Sequence, residues 1–338
     1  MKVSFVIPSY NQEKYIAAAV RSALSQTYTP LQIMISDDCS TDATFDVIER
    51  TVHGYDGPHH LVVRRNASNQ GVDHFNTLFS DTSSDVTVLA HGDDIAFPER
   101  TSRIVDALSR HEVSMVTSNC LVIDAAGQLL GAYLPIDADA EVSPARLAQG
   151  WCPQTVGSTL AWKREVFDRF GPIDKSRVAF GLDYILPFRA AMLAGVRYLS
   201  HPLLLRRHHP DSAAARLLYN VSGSQLEFRE SALANDLTNA CYMLLSLQRM
   251  RDELDASRPT NEVRNLLVKR IVGKAEVWAK ARNELRLQGK RSYWLSEAPP
   301  GYESVQPRGH QVAVAEAALP ESLVAQARAL VSSSERPW

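Results

Sequence analysis

The chain has 338 residues, of which 45% are hydrophobic and 22% charged, and its formal net charge is −2. That length allows one large domain or two smaller ones with an ordinary core. The near-neutral balance excludes the global basic field that gathers nucleic acid, so any anionic ligand must be held by local groups.

The first third alternates between two periodicities. "VSFVI" (3–7) is a β-rich run ending at Pro8. Residues 13–26 place Ile16, Val20, Ala23 and Leu24 at helical spacing. "LQIMISDD" (31–38) is a second strand, and "STDATFDVIERTV" a helix with Ser40 or Thr41 as its cap. "HHLVVRR" is a third strand, "GVDHFNTLFSD" a short helix, and "VTVLAH" a fourth strand. "PERTSRIVDALSRH" carries proline and glutamate in a first helical turn, and "EVSMVTSN" follows as a fifth strand.

Strands alternating with helices of this length imply βαβ units and a mainly parallel sheet, an α/β class. Such sheets bind ligands at the carboxyl ends of their strands. The polar residues just after the strands are therefore expected to converge on one crevice.

From about 120 to 215 the pattern loosens. It holds a hairpin around Ala126 and Gly127, then strand, helix and a Gly-Pro stop in "STLAWKREVFDRFGPID". "GLDYILPFRAAMLAG" is a helix with Pro187 early in it, and "VRYLSHPLLLRRHH" one or two strands. From about 216 two long helix-periodic segments follow, and a short Ala-rich helix lies near the end. The four cysteines, Cys39, Cys120, Cys152 and Cys241, form no C-x-x-C pair and are expected as free thiols in a reducing compartment. The N-terminal apolar run is broken by Pro8, Asn11 and Glu13, and no segment reaches the ~20 apolar residues of a spanning helix. A cytoplasmic location follows as the expectation.

Adjacent carboxylates at strand ends are the chemical signal. Asp93 and Asp94 repel each other unless a cation or hydrogen-bond donors compensate. Magnesium or manganese, held by one or two carboxylates and completed by water and phosphate oxygens, is one compensation; capping of the next helix is the other. Asp37 and Asp38 form a second such pair. Together the pairs describe a site for a nucleoside diphosphate on a cation. Neither G-x-G-x-x-G nor a P-loop motif is present where it would be needed.

"VSFVIPSYNQEKYIAAAVRSALSQTYTPLQIMISDDCSTDATFDVI" closely resembles the opening of the family 2 glycosyltransferases, inverting enzymes of GT-A fold. The resemblance continues through "HGDDIAFPERTSRI", "GSTLAWKREVFDRFGPID" and "GLDYILPFRAAMLAG". It implies a GT-A catalytic domain over 1–215, with 216–338 as a helical C-terminal region. It further implies that Pro8, Ser9 and Tyr10 line a nucleotide pocket, that Asp38 binds the base, and that Asp37 lies beside it. Asp93 is implied near the ribose or behind the metal, Asp94 on Mn2+ or Mg2+ under the diphosphate, and Asp183 as the catalytic base.

The family's late Arg-x-His can be matched as Arg206 to His208 or as Arg207 to His209. Arg207 toward the diphosphate and His209 toward the metal represent the second match. Two departures stand out: His91 replaces a frequent Asp, and Leu182 replaces a frequent Glu. Asn66, Asn69 and Gly71 are either pocket floor or a plain turn. Asp174 is the runner-up base. The implied donor is a UDP-, dTDP- or GDP-sugar, and the implied acceptor a glycan or lipid-linked glycan. Basic residues crowd 260–292; that helix is a solvated face packed on the domain, a contact with the inner membrane, or a pairing surface between two copies.

Overall fold

In the computed structural model of the chain, residues 1–81, 83–174, 176, 181–210, 212, 225–249, 260–287 and 314–334 are described. Strand β1 (Val3–Ser9) is buried at every position, as a strand covered on both faces must be. Its neighbours β2 (Gln32–Asp37) and β4 (Val86–Leu89) both run parallel to it, and β3 (His60–Arg65) runs parallel to β2. The registers Ser9↔Asp37 and Asp37↔Arg65 bring the carboxyl ends of β1, β2 and β3 level. The crossover helices are α1 (Ile16–Leu24), α2 (Thr44–Val52) and α3 (Val72–Asp81), and α4 (Arg100–Arg110) follows β5 (Ile95–Ala96).

Beyond β4 the sheet becomes mixed. The strand order is β3-β2-β1-β4-β9-β6, with the short β9 (Ala161–Lys163) antiparallel to both β4 and β6 (Met115–Ile123). β6 turns back into β7 (Leu129–Ala132) around Asp124, whose carboxylate accepts from the Ala126 and Gln128 amides at 2.9 and 2.8 Å. The hairpin expected around Ala126 and Gly127 is this one. A two-residue strand, β8 (Ala140–Glu141), and α5 (Pro144–Ala148) follow, the latter capped by Ser143 with Pro144 at the first helical position. Next come α6 (Glu165–Asp168) and α7 (Leu182–Leu193).

β10 (Val196–Arg207) is one long strand. It lies parallel to β6, with register breaks on either side of Pro202, and antiparallel to β5 through Leu205↔Ile95. That second pairing carries the end of β10 across the Asp93–Asp94 turn.

The sheet buries two apolar layers. Phe5, Ile7, Ile33 and Ile35 face Ile16, Val20, Ile48 and Ile104 on one side. Val6, Leu89 and Trp162 meet Leu78, Phe79 and Phe167 on the other. Helices α8 (Gln225–Arg249) and α9 (Thr260–Leu287) extend this second layer. Tyr242, Met243, Val263 and Leu267 join the same cluster as Leu186 and Phe188 of α7. α9 buries Val263, Leu267, Arg270 and Ala281, while Arg264, Lys269, Lys274, Lys280 and Arg282 stay exposed. No helix among the described residues is long and apolar enough to cross a membrane. All four cysteines are free thiols.

The last described elements return to the first. β11 (Val314–Ala315) pairs antiparallel with β7. A Cβ on Gly131, whose φ is +150°, would stand 2.1 Å from the Val314 carbonyl oxygen, so only glycine lets this strand close. α10 (Glu321–Ser334) presents Leu323, Ala327 and Leu330 at helical spacing to a cluster that includes Ala18 of α1 and Ile95 and Phe97 around β5. Residues 250–259, between the two long helices, and 288–313 lie outside the described residues.

Leu323→Ala removes a buried anchor of α10. It should cost about 2–5 kcal/mol, seen as a lower midpoint of thermal unfolding and earlier proteolytic loss of the C-terminal segment. An unchanged midpoint would show that α10 does not support the domain.

Candidate active site

The ends of β1 and β2 are laced together. Asn11, in the left-handed region at φ 52°, accepts from the Thr41 amide at 2.8 Å and donates its own amide to Ser40 Oγ at 2.9 Å. The Gln12 amide donates to Thr44 Oγ1 at 2.7 Å, and the Ala43 amide to the Glu13 carboxylate at 2.9 Å. Pro8 and Ser9 are buried in β1, and Tyr10 stands at the rim, 39% exposed.

Asp37 closes on its own loop. It accepts from the amide and hydroxyl of Ser40 and pairs with Arg65 at 3.3 Å. Asp38 reaches the other way. Asn66 Nδ2 donates to it at 2.7 Å, the Gln70 amide at 2.9 and 3.1 Å, and the Gly71 amide at 2.9 Å. These bonds occupy most of the acceptor capacity of one carboxylate. They also cap the start of α3, so Asp38 fixes the Asn66–Gly71 loop beside Tyr10's strand.

The second pair lies at the end of β4. Asp93 and Asp94 are only 8% and 5% exposed. Gly92 sits so close to Gln12 and Ile16 that a Cβ there would meet them at 2.3 and 2.8 Å. Burial pushes Asp93 up, but the His209 hydrogen bond and the neighbouring His91 outweigh it and hold the carboxyl below the usual range. Burial pushes Asp94 up too, and the Asp93 charge adds to it, so Asp94 stays raised. The Arg207 amide donates to Asp94 Oδ1 at 2.8 Å.

Below them Arg100 is fully buried. Its Nη2 donates to the carbonyls of Leu89 and Ser158 at 2.6 and 2.7 Å. Burial lowers its pKa to about 10, against the pull of Asp94.

His91 takes the place of the family's frequent Asp without leaving the cluster. Donor atoms of His91, Asp93 and Asp94 all lie within 4.8 Å of one another. One imidazole and two carboxylates, one of them left raised by its neighbour, suit a hard divalent cation such as Mn2+ or Mg2+. His209 stands behind this set: its Nε2 bonds Asp93 Oδ2 at 3.0 Å.

The two matches for the late Arg-x-His turn out to be mixed. His208 is exposed, while His209 is buried against Asp93 and 4.6 Å from the Tyr15 ring. Arg207 is tied to carbonyls, with Nε on Asp93 at 3.2 Å and Nη1 on Asp124 and Ala125 at 3.2 Å each, and it stacks on Tyr15 at 4.8 Å. Arg206 lies over Tyr133 at 5.5 Å within electrostatic reach of Asp94, Asp93 and Asp183. Burial lowers its pKa, but Cys120, Asp94, Tyr133 and Asp93 together outweigh it and keep it raised. Tyr15 and Tyr133 carried no sequence signal, and Arg206 only the ambiguous motif.

Asp183 opens α7 and comes to the same place. A Cβ on Gly157 would lie 3.4 Å from His91 Cε1 and 3.9 Å from Asp183 Cβ, so both side chains border that glycine. Pro187 lacks the N–H that would satisfy the Asp183 carbonyl within the helix. The Thr155 hydroxyl lies 3.1 Å from that carbonyl and takes the missing role. Burial raises the Asp183 carboxyl to about 6, opposed by His91 and Arg206. Asp174, the runner-up, instead accepts from the Ser176 amide and hydroxyl.

The sheet with its flanking helices defines a GT-A glycosyltransferase fold, shared with solved structures. One of these is Staphylococcus aureus TarS 1–349 in complex with UDP-GlcNAc, which is 15% identical with a TM-score of 0.54, over 87% of this chain and 93% of that one. Residues 4–131 match the model of glycosyl transferase family 2.

An uncharacterized glycosyltransferase of Nostoc sp. is 29% identical over 217 residues, 62% of this chain and 65% of that protein. The Escherichia coli UDP-Glc:α-D-GlcNAc-diphosphoundecaprenol β-1,3-glucosyltransferase WfaP is 52% identical over 48 residues, 14% of this chain and 19% of that enzyme. The chain thus spans less than two thirds of either relative's length.

Asp38→Ala should strip the Gln70 and Gly71 amides of their acceptor. Hydrogen exchange at those two amides should accelerate, and stability should fall by about 1–3 kcal/mol. Unchanged protection would mean the loop is held by other contacts.

Proposed function

We propose that the chain is a metal-dependent, inverting glycosyltransferase that moves a sugar from a nucleotide donor to an acceptor hydroxyl. One observation carries this reading: His91, Asp93 and Asp94 meet Arg206 and Asp183 beside the level strand ends of the sheet. The catalytic unit is read as 1–215 and the remainder as its helical extension. Cytoplasmic assembly of a surface glycan, on a free or lipid-linked acceptor, is part of this proposal; the name of the Escherichia coli relative supports the lipid-linked form. The exposed basic residues of α9 suit an anionic membrane face that presents such an acceptor.

Pro8, Ser9 and Tyr10 line the nucleotide pocket in this reading. Asp37 and Asp38 act through the loops they hold, with Asn66 fixing Asp38 from the pocket floor. His91, Asp93 and Asp94 are the residues that would hold Mn2+ or Mg2+. When bound, the cation supplies positive charge to the diphosphate as its negative charge grows. His209 keeps Asp93 ionised and oriented. Arg206, over Tyr133 and within electrostatic reach of Asp94 and Asp93, offers a guanidinium to the same developing charge. Arg207 ties the Asp93 turn to the β6–β7 hairpin through the Asp93, Asp124 and Ala125 carbonyls.

Asp183 takes the proton from the attacking hydroxyl as that oxygen bonds to the anomeric carbon. The bond from that carbon to the diphosphate breaks, and its electron pair leaves with the nucleotide. Attack opposite the leaving group inverts the centre, and one base is enough.

A thermal-shift screen of UDP, dTDP and GDP with Mn2+ tests donor binding. The matching nucleotide at 100 times its dissociation constant should add about 2.7 kcal/mol, and Asp94→Ala should abolish that gain. No shift with any nucleotide would defeat the proposal.

A pH series tests the base. Asp183 must be deprotonated to act, so kcat/KM should rise through about pH 6 and hold above it. Asp183→Asn should lower the rate about 10²–10⁴-fold. The same raised pKa makes ionised Asp183 a cost to folding. Stability should therefore fall as pH climbs from 3.8 toward about 6, and the variant should lose that slope.

A further inference from the structure

Trp151 is apolar surface that the fold leaves uncovered, against the residue that follows the proposed base. It is 38% exposed, whereas Trp162 is 1% exposed in the core. Its ring centroid lies 5.6 Å from that of Tyr184, tilted by 52°. Tyr184 directly follows Asp183 on α7. Burial raises the Tyr184 hydroxyl, and the Asp183 charge adds to it, so the phenol stays neutral.

The loop that carries Trp151 is firmly set. Arg146 Nη2 donates to the Trp151 carbonyl at 2.8 Å. Gly150 takes φ +140°, with the Arg270 guanidinium about van der Waals distance from where a Cβ would stand, at 3.9 Å. Arg270 also lies over Tyr184 at 6.0 Å and pairs with Asp236 of α8. On the other side Cys152 is buried, and the Thr155 hydroxyl is shared between the Cys152 carbonyl at 3.0 Å and the Asp183 carbonyl at 3.1 Å. One rigid piece therefore joins an exposed indole, a phenol and the backbone of Asp183.

We propose that Trp151 and Tyr184 form the stacking platform for the acceptor, and that this acceptor is a pyranoside. The inference rests on the glycosyltransferase reading and deepens it by naming the acceptor's chemical class. A pyranose ring turns a face of C–H groups outward and carries its hydroxyls around the edge. Laid on an aromatic face, it removes apolar surface from water on both sides, and the flat rings lose little conformational freedom in doing so. With the ring seated there, an edge hydroxyl faces the Asp183 carboxylate. That hydroxyl loses its proton to Asp183, bonds to the anomeric carbon and displaces the nucleoside diphosphate with its electron pair. A linear polyol has no such face and gains nothing from the platform.

The test uses the full chain with 5-fluorotryptophan at its five tryptophan positions. Trp151→Phe assigns the Trp151 fluorine resonance. UDP, dTDP or GDP with Mn2+ is added first, whichever gives the largest thermal upshift. Methyl β-glucopyranoside, methyl β-galactopyranoside and methyl β-N-acetylglucosaminide are then titrated, with ribitol as the ringless control.

The Trp151 resonance should move saturably with at least one pyranoside and stay still with ribitol. Trp151→Ala should weaken that sugar about tenfold, corresponding to ~1.4 kcal/mol, and Trp151→Phe less. Both variants should keep the nucleotide upshift. A resonance unmoved by all three pyranosides, or moved equally by ribitol, would overturn the platform while the donor reading stands. Unchanged sugar affinity in Trp151→Ala would do the same. Loss of the upshift in the unaltered chain is a separate result, which overturns the donor reading and the platform with it.

Discussion

Two carboxylates side by side in a buried turn are the constraint around which this molecule is arranged. At an effective dielectric constant of 20, unit charges 4 Å apart repel by about 4 kcal/mol. Burial adds a desolvation cost to each. Within the turn from His91 to Asp94 only the His91 side chain offsets these costs, and only in part. The compensation comes from far along the chain: His209 and the Arg207 amide at the end of β10, Arg206 across the cluster, and Arg100 from beneath. β10 must run long enough to reach β5 antiparallel, or those groups would not arrive.

The compensation is uneven, and that unevenness gives the cluster its chemistry. Asp93 is held ionised by a direct bond to His209. Asp94 receives a backbone amide but also bears its neighbour's charge, and stays raised. A cation shared with His91 relieves that repulsion directly. Asp183 is placed differently. It has no carboxylate neighbour of this kind, and burial alone raises it, to about 6. Carboxylates whose surroundings separate their pKa values can take separate roles in one reaction.

The sequence made some of this legible and hid the rest for physical reasons. β1 to β4 and α1 to α4 were readable because apolar periodicity is strong in buried parallel strands and their crossover helices. The crevice was readable because a parallel sheet sends its strand ends to one side. Asp37 and Asp38 were visible as a pair, but nothing in their spacing showed that both turn into loop contacts. β9 was readable as a strand in "STLAWK", but at three residues it is too short to show that it runs antiparallel to its neighbours. The sequence left Arg206 and Arg207 as two open matches for a definite reason. Side chains alternate along a strand, but the register breaks around Pro202 interrupt the count that would tell which arginine faces the carboxylates.

The C-terminal elements show the same limit at larger scale. β5 has two residues and cannot hold the Asp93–Asp94 turn by its own pairing. Ile95 on it and Phe97 just after it are pinned in a cluster completed by Leu319, Leu323, Ala327 and Leu330. Those residues come more than two hundred positions later, across a segment that no periodicity links to β5. A helix that looks like an appendage in sequence is, in space, the outer wall of the strand that carries the carboxylates. Rigidity at the cluster therefore depends on contacts that no local motif encodes, and the short strand can remain short because α1 and α10 hold it from the side its own hydrogen bonds do not reach.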